Sequence, residues 1–327
     1  MSAVDVSILM CTHNRAAMLR EAIASLVAQE TAGKFTFELV VVHSGAAETI
    51  DVIEEARKTS AVPVRAAYQQ HRGISVARNR ALDEARGEWF AWFDDDQLAD
   101  PMWLKALLDI AIEKNCQSTG GIRLLKLPEN CHRHLTKACR RSLGESEIWS
   151  EARPYNPKEG PPGGSHLLHR SIFEKVGKYD EAFGLRGEDT DLYRRICQLG
   201  IVSWYTPLSI CHHMIPPDRL TREYFQTTAL HDGWAFAQRD RRKKGAAMMA
   251  GAAIARIGQA ACINMPRLAK AKLAGDQESI LDAEIRLWIA EGFTRSSLYS
   301  LAPNFFRQTQ FFSRYEFRPE RRFLPQA

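Results

Sequence analysis

The run Trp89-Phe90-Ala91-Trp92-Phe93-Asp94-Asp95-Asp96 sets five apolar residues without interruption ahead of three adjacent carboxylates. A short apolar run bounded by polar residues is the pattern of a strand buried on both faces, and such strands belong to parallel sheets covered by helices. The flanks agree. Upstream, Val4 to Met10 is alternating and β-branched, Leu39 to Val42 is continuously apolar, and Val62 to Ala67 is a shorter run of the same kind. Between them Arg15 to Gln29, Ile50 to Lys58 and Ile74 to Arg86 carry helical periodicity, the first at Met18, Leu19, Ala22, Ile23, Leu26 and Val27. Strand alternating with helix from residue 4 to residue 93 predicts an α/β domain on a mostly parallel sheet.

Downstream, Asp100-Pro101 predicts a helix start, with an acceptor side chain at the cap and proline at the first helical position. From Leu127 to Gly164 the periodicity fades, and Pro154, Pro157, Pro161, Pro162, Gly163 and Gly164 predict a long irregular excursion. Such excursions inside a compact domain are usually functional, so this one is expected to face substrate. Ser165 to His169 then predicts a strand, Ser171 to Val176 a short helix, Asp189 to Leu199 a longer one, and Val202 to Tyr205 a strand. The sheet is expected to close near His213, leaving residues 223–300 helical. The expected division is a domain over 1–222, in halves 1–100 and 101–222, and a helical, basic region over 223–327.

Composition bounds the function. The chain has 327 residues, 45% hydrophobic and 25% charged, which excludes a disordered, collagenous or multi-span membrane protein. Seven scattered cysteines with no secretory apolar segment ahead of the first strand predict reduced thiols and a cytoplasmic location. Ala246 to Ile263 is interrupted by Arg256 and Gln259 and is expected to fall short of a membrane span. The net charge of +5 is uneven: residues 223–327 hold 16 basic and 10 acidic side chains, the remainder 28 and 29. Arg239-Asp240-Arg241-Arg242-Lys243-Lys244, with Phe305, Phe306, Phe311, Phe312 and the late arginines, is a candidate for peripheral contact with anionic lipid; packing of the phenylalanines on a helical core is the alternative. No binding module accompanies the charge, so no nucleic acid is expected.

Three adjacent carboxylates at a strand end repel one another, and a divalent cation on oxygen ligands is the natural relief. In an extended chain Asp94 and Asp96 would share one side and Asp95 the other, so an alternate pair would serve nucleotide and metal. The triplet also falls at the carboxyl end of its strand, where open α/β sheets bind ligands. A second pair, Glu188-Asp189, follows Gly184-Leu185-Arg186-Gly187 and opens a helix. It either caps that helix or supplies a general base to an incoming hydroxyl. Cys131, His132, His134 and Cys139 are zinc-type ligands at a spacing that fits no usual finger, and a structural role is expected. Gly160 to Gly164 lacks the lysine and hydroxyl of a phosphate loop and is expected to line an acceptor pocket.

Several of these runs, in this order, resemble glycosyltransferase family 2. They are Val6-Ser7-Ile8-Leu9-Met10-Cys11-Thr12-His13-Asn14-Arg15, Gly73-Ile74-Ser75-Val76-Ala77-Arg78-Asn79, Gly87-Glu88 with Asp94-Asp95-Asp96, Gly187-Glu188-Asp189, and His213 with Pro216-Pro217 and Arg219. The nearest likeness is to members that build bacterial exopolysaccharide and cell-surface glycans. The resemblance implies a GT-A fold, with 1–100 as nucleotide-binding half and 101–222 as acceptor-binding half. It also implies inverting transfer from a nucleotide-diphosphate sugar, a UDP-sugar before others, to a glycan or lipid-linked glycan, with Mn²⁺ or Mg²⁺ as cofactor. Carried over by motif, Asp94 contacts the ribose, Asp95 lies close to the donor and Asp96 holds the metal. Asp189 is the catalytic base and Glu188 shapes the acceptor side. His213, or its neighbour His212, completes the metal shell. Thr12, Asn14 and Arg15 sit where the family holds the nucleobase, and Arg78 where a cation near the nucleotide is common.

One position departs from the family pattern. Where members carry an aspartate toward the uracil ring, the run here is Val42-His43-Ser44-Gly45. A histidine hydrogen-bonds a base edge but makes no charged contact with a ring N–H, so His43 puts the donor base in question. A catalytically silent binding or scaffold protein is the rival reading, which retention of both acidic clusters opposes. A nucleotidyltransferase is the other, opposed by the absence of glycine from Cys11 to Arg15.

Overall fold

The computed structural model describes residues 4–71, 73–129, 131, 135–157, 159–181 and 187–304. The chain forms two compact units, Met1–Lys126 with Glu145–Met214, and Leu127–Gly144 with Ile215–Ala327. The expected division at 222 thus comes at 214, and the segment 127–144 joins the helical unit rather than the α/β one.

The first unit begins with the alternation read from the sequence: β1 (Val6–Thr12), α1 (Ala16–Val27), β2 (Phe37–His43), α2 (Ala47–Thr59), β3 (Val64–Tyr68), α3 (Ile74–Glu84) and β4 (Trp89–Asp94). β1 pairs parallel with β2 and β4, and β2 with β3. Side-chain alternation along β1 sends Ile8 and Met10 to a core with Leu19, Ile23 and Leu26 of α1, and Leu9 to a core with Val40, Leu82, Leu192 and Ile196. Both faces are covered, which is why the strands read as continuous apolar runs.

The chain then makes β5 (Gln97–Ala99), α4 (Trp103–Glu113) and β6 (Ser118–Lys126), contributes α5 (Lys137–Ser142) to the second unit, and returns with β7 (Arg153–Pro154), β8 (Ser165–His169), α6 (Arg170–Val176), α7 (Glu188–Gln198) and β9 (Ser203–Met214). The sheet runs β3-β2-β1-β4-β8-β6-β9-β5, with β7 paired to β9. Only its first half is parallel throughout; β8 is antiparallel to both β4 and β6, and β5 to β9. α4 starts later than Asp100-Pro101 predicted. β5 keeps the chain extended through Ala99, the Asp100 carboxylate accepts from His212 Nε2 at 2.9 Å, and Met102 takes the cap position. β6 escaped the sequence reading because it opens Ser-Thr-Gly-Gly, polar and small rather than apolar.

The second unit is helical: α5, a short 3₁₀ turn at Pro217–Leu220, α8 (Arg222–Gln259), a π-helical stretch at Ala260–Asn264, α9 (Met265–Ala274) and α10 (Gln277–Leu301). No strand occurs in it among the described residues. α8 is broken at Gly245, whose φ of 82° and ψ of 171° are not helical. Ala237, Met249, Ala253 and Phe293 form its small core. Contrary to the sequence expectation, the helical run Arg222–Ala274 is long and apolar enough to cross a membrane, and only 11% of its most apolar window is buried. All seven cysteines are free thiols. Of the zinc-type residues, His132 and His134 lie outside the described residues, as do Gly184 to Arg186 and the aromatic tail from Phe305.

Candidate active site

β1, β4 and β9 bring their carboxyl ends together, and the acidic triplet sits among them. β4 ends at Asp94, and Asp95 and Asp96 form a turn into β5. The turn cancels strand alternation, so Asp95 and Asp96 share a partner instead of facing apart. Arg15 Nη1 donates to Asp95 Oδ1 and to Asp96 Oδ2, both at 2.9 Å. Thr12 Oγ1 donates to Asp95 Oδ2 at 2.7 Å. Burial pushes the Asp95 carboxyl up to about 6, although Arg15 pulls the other way. Burial alone would weaken the charge on Arg15, but Asp95 and Asp96 outweigh it and hold the guanidinium protonated.

β9 supplies the histidine. Gln97 is in register with His213, and Met214 N donates to Asp96 O at 2.8 Å. Neighbours on a strand face opposite ways, so His213 Nε2 reaches Asp96 Oδ2 at 3.4 Å while His212 turns to Asp100. Of the two histidines, His213 is thus the one beside the acidic triplet.

Asp94 looks the other way, toward a buried arginine from α3. Arg78 Nη2 lies 3.8 Å from Asp94 and 3.5 Å from Glu188, and its guanidinium carbon lies 5.2 and 5.3 Å from the ring centroids of Trp92 and Tyr179, which meet each other edge to face. Its Nη1 is buried without a hydrogen-bond partner. Burial disfavours the Arg78 charge, but Tyr179, Glu188 and Asp94 together keep it on. Glu188 is itself buried, which raises its pKa, with Arg78 opposing.

The glycine loop completes the convergence. Gly163 packs against the Asp189 carboxylate and Gly164 against that of Asp94, closely enough that a Cβ on either would collide with a carboxylate oxygen. Two adjacent residues therefore touch both acidic clusters. Asp189 stands at the start of α7, after Gly187 in the left-handed region at φ 97°, and accepts from its neighbour Thr190 N at 2.6 Å.

The remaining site residues line the end of β2. Asn14 takes φ 52°, a conformation asparagine tolerates, and its Oδ1 accepts from Ala46 N at 2.8 Å. Thr12, Asn14 and Arg15 thus spend these hydrogen bonds on the site's own floor. His43 is buried, burial lowers its pKa, its Nδ1 has no partner, and its ring lies 5.6 Å from that of Tyr68, which is 61% exposed. Sequence reasoning missed His166 on β8, where Nε2 bonds Ser118 Oγ at 2.8 Å and burial holds the imidazole down to about 3. Its only signal was a polar residue inside an apolar strand.

A sequence model, Glycosyl transferase family 2, matches residues 7–177. The chain belongs to glycosyl transferase family 2. It is a glycosyltransferase, and its α/β unit is the GT-A fold that the motifs implied. Among curated relatives, the succinoglycan biosynthesis protein ExoM of Rhizobium meliloti is 25% identical over 70% of this chain and 72% of its own length. A glucosyl-dolichyl phosphate glucuronosyltransferase of Haloferax volcanii is 30% identical, over 57% of this chain and 59% of its own. Among solved structures, the mannosyltransferase PcManGT from Pyrobaculum calidifontis, in complex with GDP-Man and Mn²⁺, covers 89% of this chain and 86% of its own at a TM-score of 0.59 and 18% identity, a likeness of fold.

Proposed function

We propose that this glycosyltransferase moves a sugar, with inversion, from a nucleotide-diphosphate sugar to a hydroxyl of a glycan or lipid-linked glycan during synthesis of a surface or exported polysaccharide. The observation that supports it is the meeting of two acidic clusters across Arg78 and Gly163-Gly164, as a base working beside a donor site would require. The relatives' names support the polymer class.

In the step proposed, Asp189 accepts the proton of the acceptor hydroxyl, the oxygen forms its bond to the anomeric carbon, and the bond to phosphate breaks with its electron pair leaving on the nucleoside diphosphate. Glu188 shapes the acceptor side, Asp94 takes the ribose, and Asp95 lies close to the donor. Asp96 and His213 fit a divalent cation, Mn²⁺ or Mg²⁺: an oxygen and a nitrogen donor meet at 3.4 Å. No group of three ligating side chains occurs among the described residues, and a cation held by Asp96 and His213 would need further ligands such as donor oxygens or water. Bound there, the cation would offset charge on the leaving diphosphate. Arg15 already neutralises the same Asp96 oxygen, so it would have to share or yield it.

His43 and Tyr68 flank the base end of the reading. A UDP-sugar is the first donor to test, and a neutral imidazole in place of a carboxylate is what leaves the base open. The location proposed is cytoplasmic, with peripheral contact on the inner face of the membrane supported by the basic run Arg239–Lys244.

Calorimetric binding of UDP, GDP, dTDP and CDP with Mn²⁺ tests the donor site. One nucleotide should bind in a metal-dependent manner, and Asp96→Ala should lose it while remaining folded. Binding of none by folded wild-type protein would overturn the donor site and favour a silent scaffold.

A further inference from the structure

The second half of α8, beyond Gly245, and α9 have no part in the proposed chemistry, and their surface is unusual. From Ala246 to Gly275 they carry four cations, Arg256, Arg267, Lys270 and Lys272, and no carboxylate, and five more cations, Arg239 and Arg241 to Lys244, immediately precede the kink, where the one carboxylate, Asp240, is buried within 4.0 Å of Arg239 and Lys244. Past the kink, the second half of α8 buries only Met249 and Ala253, against Ala237 and Phe293. Met248, Ile254, Ile257, Ile263, Met265 and Leu273 are between 42% and 90% exposed. Single exposed apolar side chains are ordinary, but a run of them along one helical segment marks a surface made to be covered.

We propose that this face lies in the interfacial layer of an anionic bilayer, with the helices parallel to the membrane plane. The charge names the occupant. A second copy of the chain would set four cations with no carboxylate among them, and the five just before the kink, against the same set, whereas acidic headgroups complement them. The packing names the orientation. Met249 and Ala253 are pinned to the unit's core, and the Arg256 guanidinium lies 4.4 Å from the Phe293 ring on α10. A spanning helix would surrender both contacts and carry Arg256 to the bilayer centre, where a charge is costly. A helix lying in the plane keeps them, sinks its apolar side chains about 5–10 Å, and leaves its lysines and arginines at phosphate depth. The inference rests on the peripheral contact proposed above and extends it from the basic run Arg239–Lys244 to the face of α8 and α9.

The test is flotation of the full chain with phosphatidylcholine vesicles, with and without phosphatidylglycerol. Wild-type protein should float with the anionic vesicles and lose about tenfold or more in partition on the neutral ones. The pair Ile254→Ser with Ile257→Ser, and separately Arg241→Glu with Lys243→Glu, should each cost about tenfold or more on anionic vesicles. Donor-nucleotide binding should be unchanged in both, which shows that the variants are folded and separates this inference from the donor-site reading. Three results would overturn it: no flotation of wild-type protein with anionic vesicles, flotation undiminished in the isoleucine pair, or a dimer by light scattering that the isoleucine pair dissociates.

Discussion

Three carboxylates leave β4 and three open α7, yet the two clusters handle their charge differently. In the first, Arg15 holds Asp95 and Asp96, and Asp94 lies 3.8 Å from Arg78. In the second, Glu188 takes the other side of Arg78, and Asp191 is paired with Arg194 and with Arg195 at 2.9 Å. Asp189 is the exception: among the described residues it has no cation within ion-pair distance and only its own neighbour Thr190 as donor. A carboxylate locked to an arginine must surrender an ion pair before it takes a proton. Among the described residues Asp189 has none to surrender, which accords with the proposal that the first cluster holds charge and Asp189 takes a proton.

The most direct way to break this contrast is to neutralise the exception. Asp189→Asn should lower kcat about 10³-fold, within the range of a lost general base, with nucleotide binding unchanged. Asp191→Asn, which removes a paired carboxylate from the same helical turn, should act on stability instead. Initial rates and calorimetry on the two variants check it; equal losses of kcat would erase the distinction.

Arg78 is where the clusters meet, and its removal should be the next largest effect. Arg78→Met keeps the volume but leaves Asp94 and the buried Glu188 without their shared cation, so unfolding should become easier by about 3 kcal/mol. Arg78→Lys keeps a charge while losing the guanidinium contacts with the rings of Trp92 and Tyr179, and should recover part of that stability. Urea denaturation of the three proteins orders them. An Arg78→Met variant as stable as wild type would mean that the clusters are neighbours without being coupled.

Much of this arrangement was legible in the sequence. The strands from Val6 to Asp94 and the helices between them announce themselves because both sheet faces are covered, which makes apolar runs unambiguous. Identity of residue carries the acidic motifs too, since three adjacent aspartates have few structural uses. What one dimension hides is pairing. That Asp95 and Asp96 share Arg15 depends on a turn two residues long, and that Arg78 joins Asp94 to Glu188 depends on α3 meeting α7 across 110 residues. β6 was invisible because its small polar start is buried by hydrogen bonds among Ser118, His166 and Ser203 rather than by apolar contact. The membrane-grade apolarity of α8 was misjudged for a simpler reason. Arg256 and Gln259 interrupt the sequence, but two polar residues in a long alanine- and isoleucine-rich helix leave it apolar enough.

The smallest expected effect sharpens the contrast from the side of Asp189. Asp189 raises the proton affinity of His166, Arg78 lowers it, and burial, with Nε2 against the Ser118 hydroxyl, outweighs both, holding the folded imidazole near 3. The unfolded chain takes that proton from about 6.5 downward. Between those values the unfolded state binds more protons than the folded one, so stability rises with pH and is lost as pH falls. By pH 5 the loss attributable to this group should be about 2 kcal/mol. His166→Gln, which keeps a hydrogen-bonding side chain without a titratable ring, should flatten that limb while leaving stability at pH 8 within about 1 kcal/mol of wild type. Urea unfolding at the two pH values reads it directly. An unchanged acid limb would mean that His166 is charged in the folded protein, and Asp189 would then have the cationic neighbour that distinguishes every other carboxylate of the two clusters from it.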